Sequence, residues 1–235
     1  MWPSSAVSWE SDAILSGPAR YTTIDARVGG GGDVELEVKR SRFLARLRRV
    51  TTEADARAVI DERRRSHFDA RHHCSAFVIG PDGRAARSSD DGEPAGTAGV
   101  PMLGVLQHHG LSDVVAVVTR YFGGIKLGAG GLVRAYSEAV ARAVSAVGTR
   151  DVVLSRQLLI EVPLAEAGAV EAQVRGIVLP GGVAVVVEGV EWSDAARISV
   201  AVPHGAEAHL ESALASLSAG SLHATAVGQR WVDAP

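Results

Sequence analysis

The connection between an apolar strand and a long helix, near the middle of this chain, contains five glycines within nine residues. The strand is indicated by the apolar run 114–118, and the helix by the apolar periodicity of residues 132–147. Glycine allows positive φ angles and lets other groups approach the backbone closely. The five are Gly123, Gly124, Gly128, Gly130 and Gly131.

Three cationic side chains, Arg120, Lys126 and Arg134, accompany these glycines. A helix that begins near Gly131 would offer free backbone N–H groups to an anion. One or two glycines are enough for a tight connection. Five glycines with three cations therefore favour a site that holds an anion or the backbone of a partner. A connection that serves the fold alone is the alternative.

Two known phosphate-binding motifs do not fit this segment. Gly123 and Gly128 have the spacing of a P-loop, but Ala129 and Gly130 stand where its Lys and Ser/Thr belong. Gly128 and Gly130 could begin a dinucleotide fingerprint, but Val133 replaces its last glycine. The sequence therefore supports neither a Walker-type ATP site nor an NAD site, and we expect no cofactor and no bound metal.

Composition limits the class and the location of the protein. A chain of 235 residues, 46% of them hydrophobic, can form one large domain or two small ones. Mean hydropathy is +0.12, and no apolar run approaches the roughly 18–20 residues of a membrane span. The single cysteine, Cys74, cannot form an internal disulfide and lies in an apolar run, which favours a buried, inert thiol. We therefore expect a cytoplasmic protein without a membrane partner.

Charge is unevenly distributed along the chain, whose net charge is −3. Residues 155–235 contain four arginines and nine acidic residues, a net charge of −5, which leaves residues 1–154 at +2. Neither part has the strongly basic character of a general nucleic-acid-binding protein.

Sequence patterns predict a first domain over residues 21–150, preceded by a loose extension, residues 1–20. Thr52 is expected to cap a helix over residues 52–68, because Asp55 follows three residues later. Within that helix the run 63–65 consists of arginines and is expected to face solvent. Further strands are predicted at 34–38, 43–47, 73–79, 84–88 and 114–119, and further helices at 97–108, capped by Thr97, and 131–147.

A second domain, residues 151–235, is predicted to have the element order β-α-β-β-α-β. This is the ferredoxin-like, or split-βαβ, order, and it places the whole chain in the α+β class. Strands are predicted at 152–162, 183–187, 191–202 and 222–231, and helices at 164–174 and 206–217.

Three residues outside the glycine segment are candidate catalytic groups. Asp91 and Glu93 could bind Mg²⁺ or transfer protons, although a polar turn or ion pairs with the cations near the glycines would also account for them. His72 is a candidate base, and its neighbour His73 should point to the opposite face of a strand. Adjacent side chains diverge, so the two histidines do not form a zinc chelate by themselves.

Two long strings of this sequence resemble the signatures of the IMPACT/YigZ family. They are Asp91–Gly99, with the sequence DGEPAGTAG, and Arg120–Tyr136, with the sequence RYFGGIKLGAGGLVRAY. Weaker similarities lie in residues 39–43 and 70–76. The resemblance is strong over about residues 21–150, and the element order of the rest is similar to the small second domain of bacterial members.

The resemblance implies an N-terminal domain with the βαβ fold that ribosomal proteins and translation factors share, followed by a ferredoxin-like domain. It also implies a connection with translation, because the eukaryotic relative regulates translation initiation by contacting the activator of a stress kinase. We therefore expect a translation-associated regulatory protein that binds the ribosome, an RNA or a translation-related protein through the glycine-rich segment. An enzyme that acts on a phosphorylated small molecule is the alternative, and the oligomeric state is left open.

Overall fold

The computed structural model describes residues 18–25 and 32–234. The chain divides into two compact units, Met1–Thr149 and Arg150–Pro235. Residues 1–17 of the predicted extension lie outside the described residues. Its last residue, Arg20, begins strand β1 (Arg20–Ile24), which the sequence did not predict.

The first unit contains a five-stranded antiparallel sheet. Seven of the eight residues of its central strand are buried, which is the pattern of a strand covered on both faces and explains the continuous apolar run in the sequence. In spatial order the strands are β2 (Val34–Val38), β3 (Ser41–Arg49), β6 (Val114–Tyr121), β4 (His72–Ile79) and β5 (Ala85–Ser89).

Helices cover both faces of this sheet. On one face α1 (Glu53–Ser66) packs through Ala56 against Val115 and Val117 of β6. On the other face α2 (Gly99–His108) and α3 (Ala129–Val147) contribute to the larger core. Because successive residues of a strand point to opposite faces, β6 supplies alternate side chains to the two cores.

Helix α1 begins where its sequence predicts, but one of its three consecutive arginines is not exposed to solvent as expected. The Thr52 hydroxyl accepts a hydrogen bond from the Asp55 N–H at 3.1 Å. Arg63, expected on a solvated face, is buried and pairs with Asp33 at 2.9 Å, whereas Arg64 and Arg65 are exposed. The prediction was wrong for Arg63 because the carboxylate that neutralises it is 30 residues away in the sequence.

The predicted cap of α2 is also wrong. The Thr97 hydroxyl donates to the Pro94 carbonyl at 2.6 Å and forms no cap, and the helix begins at Gly99. Asp90 takes the capping role, since one of its oxygens accepts from the N–H groups of Ala98 and Gly99 at 2.9 and 2.8 Å. The cap thus comes from a residue eight positions before Ala98, beyond the reach of local capping patterns.

The second unit has the predicted ferredoxin-like order. Its antiparallel sheet has the spatial order β12, β7, β11, β10, and its core lies between this sheet and two helices. The elements in chain order are β7 (Thr149–Val162), α4 (Ala167–Arg175), the short β8 (Val178–Leu179) and β9 (Val183–Ala184), β10 (Val186–Trp192), β11 (Ala196–Pro203), α5 (Glu207–Ser218) and β12 (Ala224–Asp233). The α+β class predicted for the whole chain is confirmed.

The predicted boundary between the two middle strands of this unit is wrong. The turn lies at residues 193–195, where the Ser193 hydroxyl donates to the Asp194 carboxylate at 2.7 Å. The sequence placed it near Gly189, but the strand continues there through a register shift between Val187 and Gly189. Helix α4 begins at Ala167 rather than residue 164, because a turn follows Pro163. Over the described residues, no helix combines the length and the apolar character that a membrane span requires.

Candidate functional site

The glycine loop, residues 122–131, runs from the end of β6 to the first turn of α3. At Gly123 it touches the turn between β2 and β3, where a Cβ atom would lie 2.0 Å from the carbonyl carbon of Arg40. The Gly123 N–H also donates to the Ser41 hydroxyl at 3.2 Å. This position therefore admits only glycine for a packing reason, and the prediction that Gly123 binds an anion gains no support from its surroundings.

Helix α3 begins at Ala129, two residues earlier than expected. Gly128 precedes it with φ of +72° and provides no side-chain cap. The N–H groups of Gly131 and Leu132 donate to the Gly128 carbonyl. The N–H groups of Ala129 and Gly130 have no acceptor among the described residues, so the N-terminus of α3 presents two free donors.

Of the three predicted cations, Lys126 and Arg134 are exposed. Neither forms an ion pair with any residue in the ranges 18–25 and 32–234. Close to them Phe122, Ile125 and Val133 expose apolar side chains to solvent. The surface of the loop therefore combines unpaired positive charge with exposed apolar area.

Arg120, the third predicted cation, is buried and paired. Its Nη1 donates to Glu93 Oε1 at 2.6 Å, and the two side chains are 7% and 4% exposed. The Tyr136 hydroxyl donates to the same carboxylate oxygen at 2.8 Å. The hypothesis that acidic residues pair with the cations near the glycines is confirmed for this pair. Sequence reasoning missed Tyr136, although it lies in the same long motif.

The guanidinium of Arg120 also lies between two aromatic rings. Its Cζ atom is 5.4 Å from the ring centroid of Phe43 and 5.6 Å from that of Phe122. Its Nη2 lies 3.4 Å from the Ser41 hydroxyl, and its Nε is buried without a hydrogen-bond partner among the described residues. Arg120 is thereby in cation–π contact with Phe122 at the start of the glycine loop.

Asp90 and Asp91 stabilise the turn that holds Glu93. Three backbone N–H groups donate to the Asp90 carboxylate. Burial alone would raise the pKa of this carboxyl, but these hydrogen bonds outweigh it and lower the pKa. Asp91 pairs with Arg64 at 2.8 Å and accepts from the His73 N–H at 2.7 Å. Asp91 and Glu93 are thus engaged with different partners.

Within the part of the chain that the structure describes, no group of three or more His, Cys, Asp or Glu side chains could hold a metal ion.

A cavity of about 440 Å³ opens beside the glycine loop. Three cations and one carboxylate line it, so its net charge is +2 when histidine is neutral. The predicted site residues that line the cavity are His72, Glu93, Arg120, Lys126 and Gly128. The other predicted residues do not line it; they are Asp91, Gly123, Gly124, Gly130, Gly131 and Arg134. The complete lining is Arg71, His72, Glu93, Pro94, Arg120, Phe122, Lys126, Leu127, Gly128, Ala129 and Leu132.

His72 has a defined tautomer in this cavity. Its Nδ1 lies 2.9 Å from the carbonyl oxygen of Asp91. Because a carbonyl oxygen only accepts, Nδ1 carries the proton, and the Nε2 of the neutral ring has a free lone pair. No described residue bonds to that atom. Its neighbour His73 is buried and bonds to Thr119, and burial lowers its pKa.

Cys74 lies behind the cavity wall in the core of the first unit. It is fully buried, and its sulfur lies 3.3 Å from the Tyr136 hydroxyl. Burial raises the pKa of this thiol to about 12. The predicted inert thiol is confirmed, since a neutral buried thiol is a poor nucleophile.

Comparison with known proteins identifies the family. The Impact N-terminal domain matches residues 39–144. The IMPACT family member YigZ of Escherichia coli is 36% identical over 196 residues, which cover 81% of this chain and 92% of YigZ. This chain belongs to the IMPACT family.

Two further comparisons extend this assignment. The IMPACT family member YvyE of Bacillus subtilis is 45% identical over 144 residues, or 61% of this chain and 66% of YvyE. The crystal structure of a hypothetical protein aligns with 90% of this chain and 98% of its own length, at 33% identity and a TM-score of 0.57. The IMPACT-family resemblance seen in the sequence is thus confirmed.

Proposed function

We propose that this IMPACT-family protein is a cytoplasmic, translation-associated regulator that binds a ribosomal, RNA or protein partner through the glycine loop. The observation that carries this proposal is the surface formed by Lys126, Arg134 and the exposed Phe122. Unpaired cations attract phosphate or carboxylate groups, and exposed aromatic side chains are enriched where proteins bind partners. The connection with translation comes from the family, through its eukaryotic relative.

The test removes both free cations of this surface. We expect the double variant Lys126→Ala, Arg134→Ala to lose co-sedimentation with ribosomes or RNA at low salt, because each cation neutralises one anionic group of the partner. The matched control is Arg65→Ala, Arg87→Ala, which removes two exposed arginines that do not line the cavity. Failure of the wild type to co-sediment with either ribosomes or RNA would argue against the proposal.

The alternative is an enzyme that acts on a phosphorylated small molecule, with the glycine loop as its phosphate site. The observation that favours it is the free Nε2 of His72, which could accept a proton inside the cavity. His72→Asn keeps a donor for the Asp91 carbonyl and removes this base. We expect the variant to fold but to lose turnover when both proteins are incubated with phosphorylated metabolites and analysed by mass spectrometry. If the wild type converts none of them, the alternative fails.

A further inference from the structure

We propose that the cavity beside the glycine loop binds a nucleoside monophosphate, with the phosphate at the N-terminus of α3 and the base against Phe122. This rests on the phosphate site of the alternative function above, but it requires neither catalysis nor a macromolecular partner. The ligand class follows from three parts of the cavity, each of which selects one part of a nucleotide.

The first part holds an anion. Ala129 belongs to the cavity lining, and its N–H and that of Gly130 have no acceptor among the described residues. Lys126 also lines the cavity, and the net charge of +2 in the lining would balance the two negative charges of a phosphate monoester. Backbone donors at a helix N-terminus together with a lysine form a common type of phosphate site.

The second part offers hydrogen-bond acceptors and is independent of the helix N-terminus. The Glu93 side chain is 4% exposed, and both of its hydrogen bonds go to Oε1. Its Oε2 has no hydrogen-bond partner in the described ranges, and neither has the Nε2 of the half-buried His72. Both atoms accept hydrogen bonds, so a ligand with hydroxyl or amino groups can pair with them. Ribose hydroxyls have this chemistry, and acidic side chains bind them in other nucleotide sites.

The third part suits a flat ring. Phe122 is 52% exposed although it lines the cavity, and the Arg120 guanidinium packs on it at 5.6 Å. Glu93 holds Arg120 in turn, so the guanidinium supports one side of the ring before a ligand arrives. Pro94 and Leu127 add apolar walls. An exposed aromatic ring stacks on nucleobases with little regard to their identity. A volume of about 440 Å³ is within the usual range of small-molecule sites.

Calorimetric titration of the purified full chain tests the three parts separately. AMP, GMP, CMP and UMP should all bind, while ribose 5-phosphate should bind roughly tenfold more weakly because it lacks the stacking base. Adenosine should bind more weakly than AMP, because it lacks the phosphate. The proposal is overturned if none of the four nucleotides binds at millimolar concentration, or if inorganic phosphate binds as tightly as they do. A 5′-phosphorylated oligonucleotide that binds far more tightly than AMP would overturn the assignment to a free mononucleotide.

Two variants locate the ligand within the cavity. Ala129→Pro removes one free N–H, and proline is accepted at the first position of a helix, after Gly128 with its extended ψ of 165°. We expect it to fold with an unchanged melting temperature and to weaken AMP binding roughly tenfold, as the loss of one hydrogen bond to a charged group predicts. Phe122→Leu should weaken binding of AMP but not of ribose 5-phosphate. Arg65→Ala is the control and should bind as the wild type does. Folded variants that all retain wild-type affinity would overturn the proposal.

The titration contains no ribosome, RNA or partner protein, so its outcome is separate from co-sedimentation. Weaker nucleotide binding by Ala129→Pro with intact co-sedimentation would support the cavity ligand and leave the partner surface unaffected. Nucleotide binding without any co-sedimentation would support the ligand and contradict the partner proposal.

Discussion

The ion pair between Arg120 and Glu93 gives the cavity its shape at the scale of single residues. Taking either charge out of water is costly, and their mutual attraction offsets this cost only while both are present. Both charges are present here and lie 2.6 Å apart. The Tyr136 hydroxyl and the two flanking rings add favourable contacts to the pair. The pair therefore acts as a structural unit that also contacts Phe122.

We expect Arg120→Met to destabilise the protein by roughly 3–5 kcal/mol, because it leaves the Glu93 carboxylate buried without its partner. Adding Glu93→Leu should recover part of that loss, since neither charge is then buried alone. Urea unfolding of both single variants and the double variant measures the coupling energy. Strictly additive losses would contradict the assignment of this pair as one unit.

Sequence reasoning found the members of this unit but not their arrangement. Arg120 was a candidate site residue because it accompanies the glycines as a cation, and Glu93 because neighbouring carboxylates can bind Mg²⁺ or transfer protons. Their pairing with Tyr136 depends on how α3 packs against the turn at residues 90–98, and local sequence does not encode that packing. The same holds for Gly123, whose role became visible only from its contact with the backbone of Arg40.

At the scale of elements, the turn between β5 and α2 depends on Asp90. This carboxylate accepts hydrogen bonds from the N–H groups of Gly96, Ala98 and Gly99. It thereby caps α2 and also fixes the loop that carries Glu93. Thr97, the residue that local patterns select as the cap, contributes one hydrogen bond within the same turn.

Asp90→Ala should therefore cost more stability than Thr97→Ala. Three N–H groups lose their acceptor in the first variant, which predicts a loss of about 2 kcal/mol or more, against about 1 kcal/mol for one hydrogen bond in the second. Because the pKa of Asp90 is lowered in the folded state, its contribution is present above the ordinary value of 3.8 and is lost as pH falls through the lowered value. Equal losses for the two variants at pH 7 in thermal unfolding would contradict this role.

Elements that depend on residues close together in the sequence were predicted well, whereas features that depend on residues far apart in the sequence were not. The alternation of β2 and β3 and the cap of α1 each involve neighbours in the sequence, and the structure has them where expected. The cap of α2 and the burial of Arg63 depend on residues that are near only after folding. The boundary between the strands predicted at 183–187 and 191–202 was misplaced, because β10 continues through a register shift between Val187 and Gly189 that local sequence does not indicate.

At the scale of the whole molecule, the single cysteine and the three tyrosines have pKa values shifted in one direction. Burial is the largest cause of a raised pKa for Cys74 and for all three tyrosines, Tyr21, Tyr121 and Tyr136. The folded state therefore keeps protons that the unfolded chain releases.

The free energy of unfolding should fall as pH rises above about 9, because the unfolded state then binds fewer protons than the native state. Cys74 alone, with its pKa raised from an ordinary value of 9.0 to about 12, should contribute a slope of about 1.4 kcal/mol per pH unit across that interval. Urea unfolding at pH 8, 9, 10 and 11 measures the slope. Cys74→Ala should be less stable than the wild type at pH 8. Its free energy of unfolding should fall less steeply with pH, because the variant lacks the thiol proton that only the folded state retains. A wild-type stability that stays constant to pH 11 would contradict the raised pKa values of the thiol and the Tyr136 hydroxyl.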